Sequence, residues 1–264
     1  MAAPSEGTPI WADAMFSDLE GAQSFYGDVL GWTFGEASSE FGNYTQAYSD
    51  GKAVAAVVPP MPGQEGQSAW CLYLASPDAA ATAERIRQCG GTVLMEPMTV
   101  GDFGTMCLAR DPSGVTFGVW QSGTHEGFEK IGEPGSFAWA EVFTREPEKS
   151  DAFFSAVFGY DTQRMEDERI DYKIFSLGAD RPVMGRMKMT DEEFPAEIPP
   201  YVQVYFSVAN CDTAVAAAER LNGTLAFGPM DSPFGRFAAV VDPQGAPFAV
   251  IDLQTTVGEA PKMT

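Results

Sequence analysis

Apolar positions change period repeatedly along this chain. Ile10 to Phe16 is a short apolar run carrying one charge, Asp13, and reads as a strand. From Leu19 to Leu30 the residues Ala22, Phe25, Tyr26 and Val29 recur at the three- and four-residue spacing of one buried helix face, and Gly31 follows as a helix-ending residue would. Tyr44 to Tyr48 and Ala53 to Val58 return to strand-like runs around a Ser-Asp-Gly turn, and Pro59 to Gln64 reads as a linker. The order then restarts. Trp70 to Leu74 predicts a strand, and Pro77 to Gln88 predicts an alanine-rich helix stopped by Gly90-Gly91. Strands are expected near Val93 to Met95, Thr105 to Ala109 and Thr116 to Gln121. Each cycle is a strand, a helix and three more strands.

The whole pattern is then written a second time. Trp11-Ala12-Asp13-Ala14-Met15, with Phe25-Tyr26 and Gly31-Trp32 after it, recurs as Trp139-Ala140-Glu141-Val142-Phe143 with Phe153-Phe154 and Gly159-Tyr160. Downstream, Asp111-Pro112-Ser113-Gly114 and Phe117 return as Asp242-Pro243-Gln244-Gly245 and Phe248. The expectation is an α+β protein of four strand-helix-three-strand modules forming two domains, 1–122 and 136–255. A linker at 123–135 joins them, a second linker lies at Asp191 to Pro200, and a C-terminal tail spans 256–264. Polar residues kept in both copies then need a reason beyond chance.

Charge and composition narrow the partners. With 37 acidic against 16 basic residues and a net charge of −21, phosphate backbones and anionic membranes are repelled, so neither nucleic acid nor membrane is expected. No run approaches the roughly 18 consecutive apolar residues of a membrane helix, and the N-terminus lacks a basic segment followed by an apolar one, so a cytoplasmic location is expected. Cys71, Cys89, Cys107 and Cys211 show no paired spacing and read as reduced thiols.

Asp18 before a helix ending Phe25-Tyr26-Gly27-Asp28-Val29-Leu30-Gly31-Trp32, together with the Asp111-Pro112-Ser113-Gly114 turn into a last strand, resembles the glyoxalase / bleomycin-resistance / extradiol dioxygenase (vicinal oxygen chelate) superfamily across nearly the whole chain. The tandem form is similar to actinobacterial proteins often labelled hydroxylases or glyoxalase-like. That resemblance implies βαβββ modules whose paired sheets curl into two cups, each able to hold a small molecule. It leaves open whether modules pair as neighbours or first with last. Metal-dependent members hold a divalent ion through histidine and glutamate on the first and last strands. Aligned on that pattern, the first-strand positions hold Trp11 and Trp139, the last-strand positions Gly118 and Ala249, and the middle strand offers Cys71 and Gln203. These sets predict no metal and no cofactor. The one histidine, His125, sits in the linker and reads as solvated.

Strand alternation gives the expected cup lining, because residues two apart share a face. Trp11, Asp13 and Met15 share one side, as do Trp139, Glu141 and Phe143; the same parity brings in Cys71, Tyr73, Gln203, Tyr205 and Trp120. Phe103 and Phe234 read as rim loops, and Arg236 as a cation for an anionic group in one cup only. An aromatic floor suits a flat apolar ligand. The resulting expectation is a metal-independent protein that binds a small apolar or aromatic natural product for sequestration or presentation. The alternative is a hydroxylase-type or cyclising tailoring enzyme of secondary metabolism, with Asp13 or Glu141 as acid/base. A monomer is expected, since the repeat already supplies an internal pseudo-twofold, though nothing forbids a dimer.

Overall fold

The computed structural model describes residues 4–60, 68–167, 169–178 and 181–264; Met61 to Gln64 of the linker expected at Pro59 to Gln64 lie outside them. The first half runs β1 (Pro9–Met15), α1 (Leu19–Leu30), β2 (Thr33–Phe34), a 3-10 turn at Ser39–Phe41, β3 (Thr45–Ser49), β4 (Lys52–Val58), β5 (Trp70–Ala75), α2 (Ala79–Gln88), β6 (Thr92–Val100), β7 (Gly104–Arg110) and β8 (Thr116–Ser122). The second half repeats the order with β9 (Phe137–Thr144), α3 (Pro147–Phe158), β10 (Asp161–Arg164), β11 (Tyr172–Ser176), β12 (Pro182–Lys188), β13 (Tyr201–Ser207), α4 (Cys211–Arg220), β14 (Thr224–Ser232), β15 (Gly235–Val241) and β16 (Pro247–Asp252).

Local chemistry sets the helix limits. Asp18 caps α1 by accepting from the Gly21 N–H, Asp78 and Asn210 cap α2 and α4 in the same way, and Pro147 opens α3. Gly31 and Gly159 end α1 and α3 with φ of 72° and 71°, a left-handed conformation that a side chain would disfavour.

Two eight-stranded mixed sheets result, ordered β2-β3-β4-β1-β5-β8-β7-β6 and β10-β11-β12-β9-β13-β16-β15-β14. Modules therefore pair as neighbours. Their inner strands, β1 with β5 and β9 with β13, meet antiparallel, while β1/β4, β5/β8, β9/β12 and β13/β16 are parallel.

Alternation sorts each strand into two faces. Ala12, Ala14, Leu72, Leu74, Phe117 and Val119 join the main core with the helices, whereas Trp11, Tyr73 and Trp120 form a separate cluster on the opposite face. The main core is shared between the halves, since α1 packs against α4 and α2 against α3. Phe25 of α1 meets Phe248 of β16 at 6.0 Å, and Phe117 of β8 meets Phe154 of α3 at 5.3 Å. The aspartate repeated in both Asp-Pro turns also has a structural reason. Asp111 accepts from the Ser113 and Val115 N–H groups within its turn and from Ser150 Oγ of α3 at 2.6 Å. Asp242 accepts from the Gln244 and Ala246 N–H groups and from Tyr26 Oη of α1 at 2.9 Å.

Candidate functional site: two aromatic cups with one carboxylate each

On the helix-free face of the first sheet, register sets Trp11 abreast of Tyr73, Tyr73 abreast of Gly118, and Asp13 abreast of Cys71. The side chain abreast of Trp11 and Gly118 is thus Tyr73; Cys71 lies one row away, a correction to the alignment that offered Cys71 as the middle position. Trp11 Nε1 donates to Tyr44 Oη at 2.6 Å, Tyr44 Oη points to Asp13 Oδ2 at 3.4 Å, and Tyr73 also hydrogen-bonds the carboxylate. Burial pushes Asp13 up to about 7 even though both phenols favour the anion. Burial and the Asp13 charge raise Tyr73, Tyr44 and the Cys71 thiol in turn.

The second cup repeats the arrangement with a tighter phenol–carboxylate bond and a longer indole–phenol one. Tyr172 Oη donates to Glu141 Oε1 and Tyr205 Oη to Glu141 Oε2, each at 2.7 Å, while Trp139 Nε1 reaches Tyr172 Oη at 3.3 Å. Burial raises the Glu141 carboxyl against these three donors. Gln203 lies directly across from Glu141 and Tyr205 across from Trp139. Phe143 stacks on Tyr201 with centroids 5.1 Å apart and meets Phe194 at 5.6 Å; Tyr205 continues to Phe237 at 6.2 Å. Gly185 makes room for the network, because a Cβ there would fall 2.1 Å from Tyr172 Oη.

The cups differ in what covers them. Residues 123–135 do not simply span two halves; they cross the first cup. Phe128 N–H donates to Ile10 O at 2.7 Å and Glu129 N–H to Ala53 O at 2.9 Å. Gly127, at φ 106°, passes so close that a Cβ would meet Ile10 O at 2.3 Å. His125 is therefore not a solvated linker residue. Its ring meets Trp11 edge-on at 4.4 Å and Trp120 at 5.7 Å, its carbonyl accepts from Trp120 Nε1, and burial lowers its pKa. With Phe128 at 5.5 Å from the same indole, Trp11 is left 3% exposed. In the second half, by contrast, Trp139 stays partly open beside Leu253. The tail runs past the β14–β15 turn, where Val257 N–H bonds Ser232 O, and ends paired with Arg164 and Glu166.

Other expected lining residues fall at the margins. Met15 lies half-buried abreast of Val58 at the end of β1. Phe103 and Phe234 sit on hairpin tips, 41% and 50% exposed, and Phe103 packs on Phe41 across the first cup's rim. Arg236 leaves the expected set: it pairs with Asp212 of α4 and with Asp231, so its charge is met on the helix side. Sequence reasoning missed Tyr44 and Tyr172, although Tyr172 opens β11 and Tyr44 immediately precedes β3, the corresponding strand of the first copy.

The family model "Glyoxalase/Bleomycin resistance protein/Dioxygenase superfamily" matches residues 11–119. The chain is 36% identical over 262 residues to the anthracycline biosynthesis protein DauV of Streptomyces sp. (strain C5), covering 94% of each. It is 35% identical over 252 residues to the putative glyoxylase CFP32 of Mycobacterium bovis, covering 93% of this chain and 95% of the relative. The chain belongs to the glyoxalase/bleomycin resistance/dioxygenase superfamily. Its fold is similar to that of the Mn(II)-bound glyoxalase from Novosphingobium aromaticivorans, with a TM-score of 0.64, 17% identity and coverage of 97% and 87%. It is also similar to the 2,3-dioxygenase LapB from Pseudomonas sp. KL28, with a TM-score of 0.65, 13% identity and coverage of 98% and 95%. The superfamily's metal position fits poorly here. Its rows hold Trp11, Tyr73 and Gly118 in one half and Trp139, Tyr205 and Ala249 in the other, and a Cβ on Gly118 would strike Tyr73 Cδ1 at 2.2 Å. Among the described residues no three His, Cys, Asp or Glu side chains converge.

Proposed function

We propose that this superfamily member works without a metal and binds a small, flat, apolar or aromatic molecule of natural-product type in an aromatic cup, for sequestration or presentation. The observation that carries the reading is the Trp139–Tyr172–Glu141–Tyr205 network, in which the family's metal row is replaced by rings around one hydrogen-bonded carboxylate. The name of its Streptomyces relative DauV places that protein in anthracycline biosynthesis and agrees with a polycyclic ligand class. The second cup is the better candidate, because His125 and Phe128 already occupy the face of Trp11 in the first. Trp139, Phe143, Gln203 and Tyr205 would then contact the ligand. The unit is a monomer of two domains, 1–122 and 136–255, in the cytoplasm. Titrating chelator-treated protein with a hydroxyanthraquinone, read by tryptophan fluorescence, tests this: saturable binding without added metal is expected, and binding that appears only with a divalent ion would contradict it.

Asp13, held at about 7, favours a second reading as a tailoring enzyme, since a carboxyl poised there can take and return a proton at neutral pH. Asp13→Asn and Glu141→Gln should then fold normally and lose turnover on the pathway intermediate. Unchanged turnover in both would remove the acid/base role.

A further inference from the structure

Gln203 is the polar side chain of the second cup that the network leaves unused. It is 2% exposed, on β13 between Tyr201 and Tyr205, and its Nε2 is buried without a hydrogen-bond partner. The nearest carboxylate does not need it. Glu141, its cross-strand neighbour, receives two phenol donors at 2.7 Å. A buried amide donor facing no acceptor is disfavoured in the empty protein and gains most from a partner that brings one. On the same face Tyr201, stacked on Phe143, lies to one side of Gln203, and Tyr205, abreast of Trp139, lies to the other. A donor set between ring pairs suits a flat molecule bearing an acceptor at its edge. At the corresponding place of the first cup Cys71 stands across from Asp13, and a thiol is a weak donor; the unpartnered buried nitrogen there is His125 Nε2, in the segment that covers Trp11 rather than on the sheet.

Resting on the cup reading above, we infer that Gln203 selects the ligand: its Nε2 donates to a carbonyl or quinone oxygen on a planar aromatic molecule, so the second cup takes aromatic ketones and quinones in preference to the matching hydrocarbons.

The test compares hydroxymethyl-anthraquinone with hydroxymethyl-anthracene, which share outline and substituent but differ in the carbonyls. Affinities are measured on wild type and on Gln203→Met, an unbranched replacement that removes the amide and keeps its length. Wild type should bind the quinone about tenfold more tightly than the anthracene, as one good hydrogen bond to a buried donor implies. Gln203→Met should erase that preference and melt no lower than wild type. The infrared carbonyl band of the bound quinone should lie lower in wild type than in the variant. A preference that survives Gln203→Met, or a carbonyl band that does not move, overturns the Gln203 assignment while leaving the cup reading intact. If neither probe binds wild type, the cup reading fails and this inference fails with it.

Discussion

Tyr172 Oη donates to Glu141 Oε1 at 2.7 Å while itself lying 3.3 Å from Trp139 Nε1, so one phenol joins the indole to the carboxylate. Tyr172→Phe would leave the half-buried Trp139 indole N–H without its acceptor and the buried Glu141 with one phenol fewer. Loss of a buried partner of this kind costs about 1–3 kcal/mol. Urea denaturation should show a drop of that size at pH 7; an unchanged midpoint would mean the network is not held as described.

The pH dependence of the first cup follows from Asp13. Its carboxyl titrates at about 7 in the folded chain, above the roughly 4 of an unfolded aspartate, so folding favours the protonated form. That contribution is fully present below about pH 4, is lost as pH rises towards 7, and is constant above. Asp13→Asn, which cannot titrate, should lack the loss. The melting temperature of wild type minus that of Asp13→Asn should therefore fall between pH 5 and pH 8, and parallel curves would refute the assignment.

Tyr26 of α1 donates to Asp242 of the other half and accepts from Trp70 Nε1 at 3.0 Å. Together with the core shared across both sheets, this makes the halves one folding unit. Calorimetry should show a single transition, and Tyr26→Phe should lower it by about 1–3 kcal/mol of stability without splitting it. Two separated transitions in wild type would contradict the shared core.

His125 shields Trp11 edge-on at 4.4 Å. His125→Ala should raise the fraction of tryptophan emission that acrylamide quenches, because Trp11 is otherwise nearly sealed. Unaltered quenching would mean the linker does not lie on the indole.

Much of this was legible from residues. The repeat located Gly31 with Gly159 and Asp111 with Asp242, and strand parity put Trp11, Asp13 and Tyr73 on one face because an unbroken strand alternates strictly. The reading of Arg236 as a cup cation rested on its charge and failed, because Asp212 and Asp231 meet that charge. Register shifts between Leu225 and Met230 on the partner strand make faces there hard to propagate from sequence, and Phe237 is the residue that meets the cup. Thr33–Phe34 and Asp161–Arg164 are too short or too polar to carry a strand period, and β6 runs on to Val100 as an edge strand with apolar residues exposed at Leu94 and Met98 as well as half-buried at Val93 and Met95, so its end is not marked by the pattern. His125 was missed because a polar, glycine-containing segment gives no signal of where it will lie, and its path is fixed by backbone bonds to Ile10 and Ala53. Tyr44 and Tyr172 did carry a signal: they are polar aromatics retained in both copies.

Whether the aromatic cup holds its ligand without a metal is decided by native mass spectrometry of chelator-treated protein mixed with hydroxymethyl-anthraquinone, followed by denatured mass on the same sample. A complex of one organic molecule per chain that disappears on denaturation, with no metal increment, is expected. A complex that forms only when a divalent ion is restored, with one ion retained per chain, would contradict binding without a metal.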